Sequence, residues 1–187
     1  MGFWTGVRLP PNPCHKEGPA CGRMPYDPMS HVIRRDPLAG GCLMTIVVRR
    51  RKDMSKYYDR AVELRASAEP HYNCAQSVFL PFAEAAGVAE ATAYKISANF
   101  GAGMRRASVC GAITGGLMAL GLFGVDDTQS IAKYHNKLKE AHEGALDCSE
   151  LLTICKAKGQ EKKPHCDEMV YECVQLVEEI LKEQGKL

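Results

Sequence analysis

Nine cysteines are the residues of this 187-residue chain with the most chemical potential. Cys148 and Cys155 are seven apart, as are Cys166 and Cys173. Seven residues are about two helical turns, so each pair would share a helix face some ~10.5 Å apart along the axis. A disulfide needs Cα atoms within about 7 Å. Neither pair closes on itself inside a helix, so any disulfide or shared metal must link different helices. Cys155 lies among Leu151 and Leu152, and Cys173 among Val170, Leu176 and Val177. Both are expected to fill the core as small apolar residues. Cys74, Cys110, Cys148 and Cys166 instead fall near the starts of expected helices. Unpaired N–H groups and the helix dipole favour an anion there, so a thiol should have a depressed pKa and raised reactivity. Cys110 has Arg105 and Arg106 a turn upstream and Gly111 after it, which makes it the first choice for a reactive thiol or cluster ligand. His71 and His165 stand near Cys74 and Cys166; solvated imidazoles are expected there rather than groups that tune a thiolate.

The elements that must position these sulfurs read as helices. Tyr58, Ala61, Val62 and Leu64 outline an amphipathic helix that begins at Ser55 and stops before Pro70. Asn73 is the N-cap of a second, with Ala75, Val78, Phe79 and Phe82 inward, a kink or break at Pro81 and an end at Gly87. A third runs from Glu90 to about Asn99, followed by a glycine-bearing loop, Gly101 to Arg106. Val109 to Val125 carries no charge and is expected to be a central helix buried all round. Gly111 and Gly115 cost such a helix roughly 1 kcal/mol each. The close approach of another helix or of a bound group would explain them, so both are candidate cofactor-binding positions. Asp127 or Thr128 caps a helix to about Glu143, Asp147 caps one from Cys148 to about Lys156, and Pro164 opens the last, to about Gln184. No strand-like alternation is visible. The expected fold is all-α, a bundle of five to seven helices.

Residues 1–53 differ. They hold seven of the ten prolines and a charge balance of +5, against −3 for residues 54–187. They are expected to be an irregular or disordered extension without a core of its own. Arg49-Arg50-Arg51-Lys52 precedes Met54, as purine-rich codons upstream of a bacterial start would translate, so Met54 is the expected natural start. The alternative is a basic arm for anionic partners. Cys14 and Cys21 flank His15 like metal ligands, but no second pair follows at zinc-ribbon spacing.

The composition narrows the function. A net charge of +2 and 7% aromatics argue against nucleic-acid binding. The apolar run is short for a membrane span and rich in glycine. No nucleotide motif and no Ser/His/Asp pattern stands out. There is no Cys-x-x-Cys-His for covalent haem and no Cys-x-x-Cys for a thioredoxin-type site. Gly101–Arg106 is neither a Walker loop nor a dinucleotide turn, and a plain interhelix loop is expected.

Asn73-Cys74-Ala75-Gln76, Cys110-Gly111-Ala112-Ile113-Thr114-Gly115, Cys148-Ser149-Glu150-Leu151-Leu152 and Cys166 followed by Val170 together resemble the family labelled C_GCAxxG_C_C. The resemblance spans roughly residues 56–184. It implies a redox-active protein whose four characteristic cysteines are Cys74, Cys110, Cys148 and Cys166, with Cys155 and Cys173 as extras. These four would either exchange thiol for disulfide or hold an iron–sulfur cluster for electron transfer. Two other functions compete: a structural zinc site on the same four cysteines, and a transport-associated accessory protein without catalysis. A cytoplasmic location, an unidentified redox partner and a homodimer through the glycine-bearing helix complete the expectation.

Overall fold

Small polar residues start several of the helices. The computed structural model describes residues 55–187, with a two-residue antiparallel ladder of Ile33–Arg34 (β1) on Thr45–Ile46 (β2). The expectations for Met54, the Arg49–Lys52 run, Cys14, Cys21 and His15 lie outside the described residues. Ser55 caps α1 (Lys56–Ala66), its side chain accepting from the Tyr58 N–H. Asn73 opens α2 (Cys74–Ala85) with a reciprocal box. Its side chain accepts from Gln76 N–H at 3.0 Å, and the Gln76 side chain accepts from Asn73 N–H at 2.8 Å. The expected interruption at Pro81 is a correction in part: α2 runs through Pro81 to Ala85 without a break.

After α3 (Glu90–Ser97) the chain makes a 3₁₀ turn and then a left-handed one. Ala102, Met104, Arg105 and Ala107 all have positive φ, between 52° and 59°, around Gly103 at 61°. Each non-glycine residue in that region costs on the order of 1–2 kcal/mol. The turn is tied down on both sides: Ser108 N–H donates to Gly103 O, and Asn73 Nδ2 donates to Ala98 O.

The remaining helices are α4 (Gly111–Leu122), α5 (Thr128–Ala141), α6 (Cys148–Ala157) and α7 (Lys162–Glu183). Asp127 caps α5 by accepting from Ser130 N–H at 2.8 Å. Pro164 is the third residue of α7, not the first, and its missing N–H falls within the unpaired first turn. Two features of the apolar run differ from expectation. Val109 leaves the helix to bridge Asp147 in an isolated antiparallel pair. The last turn of α4 reaches the surface, where Leu122 is 38% exposed, so only the first part of the run is buried on all sides.

Residues 55–187 form an all-α bundle of seven helices, with α4 packed on α2 and α7. Ile113, Leu120, Val78, Phe82, Val170 and Val177 are all within the core. Tyr57 stacks on Phe82 at 4.5 Å, and Phe82 meets Phe123 edge-on. No helix among the described residues is long and apolar enough to cross a membrane.

Candidate functional site

Two hydrogen bonds decide where Cys110 and Cys148 go. In the Val109–Asp147 bridge, Cys110 N–H donates to Leu146 O at 2.9 Å and Cys148 N–H donates to Ser108 O at 2.7 Å. Cys110 is the N-cap of α4 and Cys148 the first residue of α6. The bridge therefore clamps the starts of two helices side by side. A strand-like contact two residues long was not readable from the chain, because nothing in Ser108–Cys110 or Leu146–Cys148 alternates.

The first residue of α2 is Cys74, and its sulfur reaches the same place. A methyl on Gly111 would overlap the Cys74 Sγ and lie 2.8 Å from Phe100 O. Gly111 is thus a notch that seats a thiol. Gly115, one turn on, serves the backbone: a methyl there would lie 2.6 Å from Ala75 O. Gly116 faces the ring of Tyr134, whose Oη donates to Ile113 O at 3.2 Å. The close approach expected at Gly111 and Gly115 is therefore of two kinds, a sulfur at one and helix α2 at the other. At Gly103 a methyl would meet Cys148 Cβ at 2.9 Å, so the left-handed turn packs directly on this cluster.

Cys166 is the fifth residue of α7, within electrostatic reach of the others. Charge on Cys74 or Cys148 would raise its pKa. All six cysteines from Cys74 to Cys173 are free thiols. The expected depression of their pKa values is overturned where a shift is resolved. Burial, followed by the nearby Cys74 thiol, pushes Cys110 up to about 12. The N–H groups of Ala112 and Ile113 oppose this, as the helix start should, but are outweighed. Burial, then Cys74 and Cys148, pushes Cys166 up to about 11, and Cys148 is raised for the same kind of reason. The arginines expected to help Cys110 are both exposed, and Arg105 donates to Ala98 O.

The cations that favour thiolates here come from elsewhere. Lys162 acts on Cys148 and Cys166, and Arg65 on Cys166. Sequence reading missed both, since Arg65 lies on α1 and only the fold brings it to α7. Arg65 Nε donates to Asp167 Oδ1 at 2.6 Å, with both side chains 10% exposed. The only earlier signal was that Asp167 and Lys162 flank Cys166 in the chain.

Cys155 and Cys173 are buried, as expected of core residues. Cys155 Sγ donates to Gln160 O and Glu161 O at the end of α6. Cys173 is fully buried beside Tyr134, and its pKa is driven well up by burial, with Cys110 and Cys74 contributing. It underlies the cluster. His71 borders a surface cleft with Cys166, and His165 is half-buried with its pKa lowered by that burial.

Residues 72–180 match the family described as "Putative redox-active protein (C_GCAxxG_C_C)". The chain belongs to this family. No match was found among curated proteins or solved structures. In this member of the C_GCAxxG_C_C family, the Cys-Gly-Ala string supplies both a cysteine at the N-cap position and the notch for a second sulfur. Four thiols drawn from the starts of α2, α4 and α6 and the first turns of α7 have the donor chemistry of an iron–sulfur or zinc site. Among the described residues no group of three or more His, Cys, Asp or Glu side chains is set to hold a metal ion.

Proposed function

We propose that Cys74, Cys110, Cys148 and Cys166 work as one redox unit that cycles between thiols and an interhelix disulfide. The supporting observation is the seating of Cys74 Sγ in the Gly111 notch, next to the clamped starts of α4 and α6. The electrons come from the sulfurs: two thiols lose two electrons and two protons to an oxidised partner and become a disulfide. At pH 7 a thiol with a pKa of about 12 is ionised in only about one molecule in 10⁵. Cys110 is the one buried member of the four, which suits it to resolve a disulfide begun at the more exposed Cys74, Cys148 or Cys166. Thiols that must be returned to the reduced state need a reducing compartment, so a cytoplasmic location belongs to the same proposal.

Metal analysis with thiol counting on anaerobically prepared full-length protein tests this reading. The expected protein is colourless, binds no stoichiometric iron or zinc, and loses two thiols and about 2 Da on treatment with diamide. A brown, iron-bearing protein would replace disulfide cycling with cluster-based electron transfer. Stoichiometric zinc whose removal unfolds the chain would make the four cysteines structural.

A further inference from the structure

Beside the sulfur cluster a cleft of about 480 Å³ opens between the end of α1 and the start of α7. Cys166 lines it, with Arg65, His71, Lys162 and Lys163 around it. Asp167 is held by Arg65 and, at 2.9 Å, by Lys163. Three cations, Arg65, Lys162 and Lys163, thus line the cleft around Asp167. Arg65 is locked in place: besides Asp167 it donates to Tyr72 O at 3.2 Å. Lys163 is 69% exposed along its side chain and would reach a ligand by leaving its 2.9 Å ion pair with Asp167. Ser67, on the rim, spends its hydroxyl on Pro70 O. What the wall offers a ligand is positive charge and one thiol.

We propose that this cleft binds a small carboxylate-bearing disulfide, and that Cys166 is the sulfur with which it exchanges. This rests on the thiol–disulfide reading above and names its substrate class. The Cys166 thiolate attacks one sulfur of the disulfide, forming a mixed disulfide and releasing one thiolate. A second cysteine of the cluster then attacks the Cys166 sulfur and releases the other half. Two protein thiols have given up two electrons and two protons, one protein disulfide has formed, and the small disulfide has become two thiols. The lysines fix the carboxylates, and Arg65 and Lys162 offset part of the burial that disfavours the Cys166 anion.

The test uses full-length reduced protein with two probes, oxidised glutathione and the uncharged bis(2-hydroxyethyl) disulfide. Adducts are located by peptide mapping, and rates are followed by intact mass at low ionic strength. The expected first adduct is on Cys166. The expected rate ratio, anionic over neutral probe, falls about tenfold in Lys162→Ala/Lys163→Ala. It keeps its wild-type value in Lys95→Ala, on α3 away from the cleft. A first adduct on another cysteine, or a ratio the double substitution leaves unchanged, overturns the cleft proposal while leaving disulfide cycling intact. If neither probe oxidises any pair of cysteines, the cycling reading fails and the cleft proposal with it.

Discussion

Two glycine-to-alanine substitutions on the same helix should have opposite effects. Gly121 is an exposed residue of α4, with nothing within 4 Å of where a methyl would go. Gly121→Ala removes a glycine from a helix at no steric cost and should stabilise the fold by about 0.5–1 kcal/mol. Gly111→Ala makes the same chemical change ten residues earlier. Its methyl would overlap the Cys74 Sγ, sit 2.8 Å from Phe100 O and 3.2 Å from Gly101 Cα. Two of those neighbours are backbone and cannot rotate away. Overpacking of this kind costs about 1–3 kcal/mol, and the gain in helix propensity offsets at most about 1. The net loss should be about 1–2 kcal/mol, a fall in Tm of about 4 °C per kcal/mol for a domain of this size. Because the nearest neighbour is a thiol, Gly111→Ala should also change the rate at which Cys74 is alkylated, whereas Gly121→Ala should not. Thermal denaturation and peptide-mapped alkylation of both variants measure the two effects. A Gly111→Ala protein as stable as Gly121→Ala, with Cys74 labelled at the wild-type rate, would refute the notch.

Stability should fall in alkali more steeply than surface groups require. The Cys110 pKa is raised from 9.0 to about 12, so between those values the unfolded chain loses this proton while the folded one keeps it. The unfolded state then binds fewer protons, and stability declines by up to about 1.4 kcal/mol per pH unit from this thiol. Urea midpoints from pH 8 to 11 should show the decline in wild type and a shallower one in Cys110→Ala; equal slopes would remove burial as the cause. Asp167→Ala leaves the 10%-exposed Arg65 without its carboxylate and should cost about 3–5 kcal/mol, measured by urea denaturation. A loss under about 1 kcal/mol would mean that Arg65 is solvated in the folded protein.

The helices were legible because their signals are local. Asn73 with Gln76, Asp127 with Ser130, and the spacing of Tyr58, Ala61 and Leu64 all act within one or two turns. The four sulfurs could be singled out for a related reason, since each lies close to such a start. What was not legible depends on residues far apart in sequence. Gly111 answers to Cys74, the Ser108–Cys110 segment to Leu146–Cys148, and Cys166 to Arg65 and Lys162. The left-handed turn was also hidden. A reader looks for glycine where φ is positive, and here Ala102, Met104, Arg105 and Ala107 take that conformation.

The overturned expectation about thiol acidity follows from magnitudes. A helix start stabilises a nearby anion by about 0.3–1 kcal/mol, at most ~2, which is roughly one pKa unit. Burial can raise a thiol by several units. At Cys110, 7% exposed, burial wins although the N–H groups of Ala112 and Ile113 favour the anion. The helix starts therefore act on these cysteines chiefly by placing them. Three chain segments are brought to one point because each begins a helix whose axis is fixed by the core. Toward α7, Lys162 acts on both Cys148 and Cys166 and offsets part of the burial that raises them. On the proposed thiol–disulfide cycle, an electron-accepting partner should meet the cluster from the more exposed Cys166 side, with the buried Cys110 reached last.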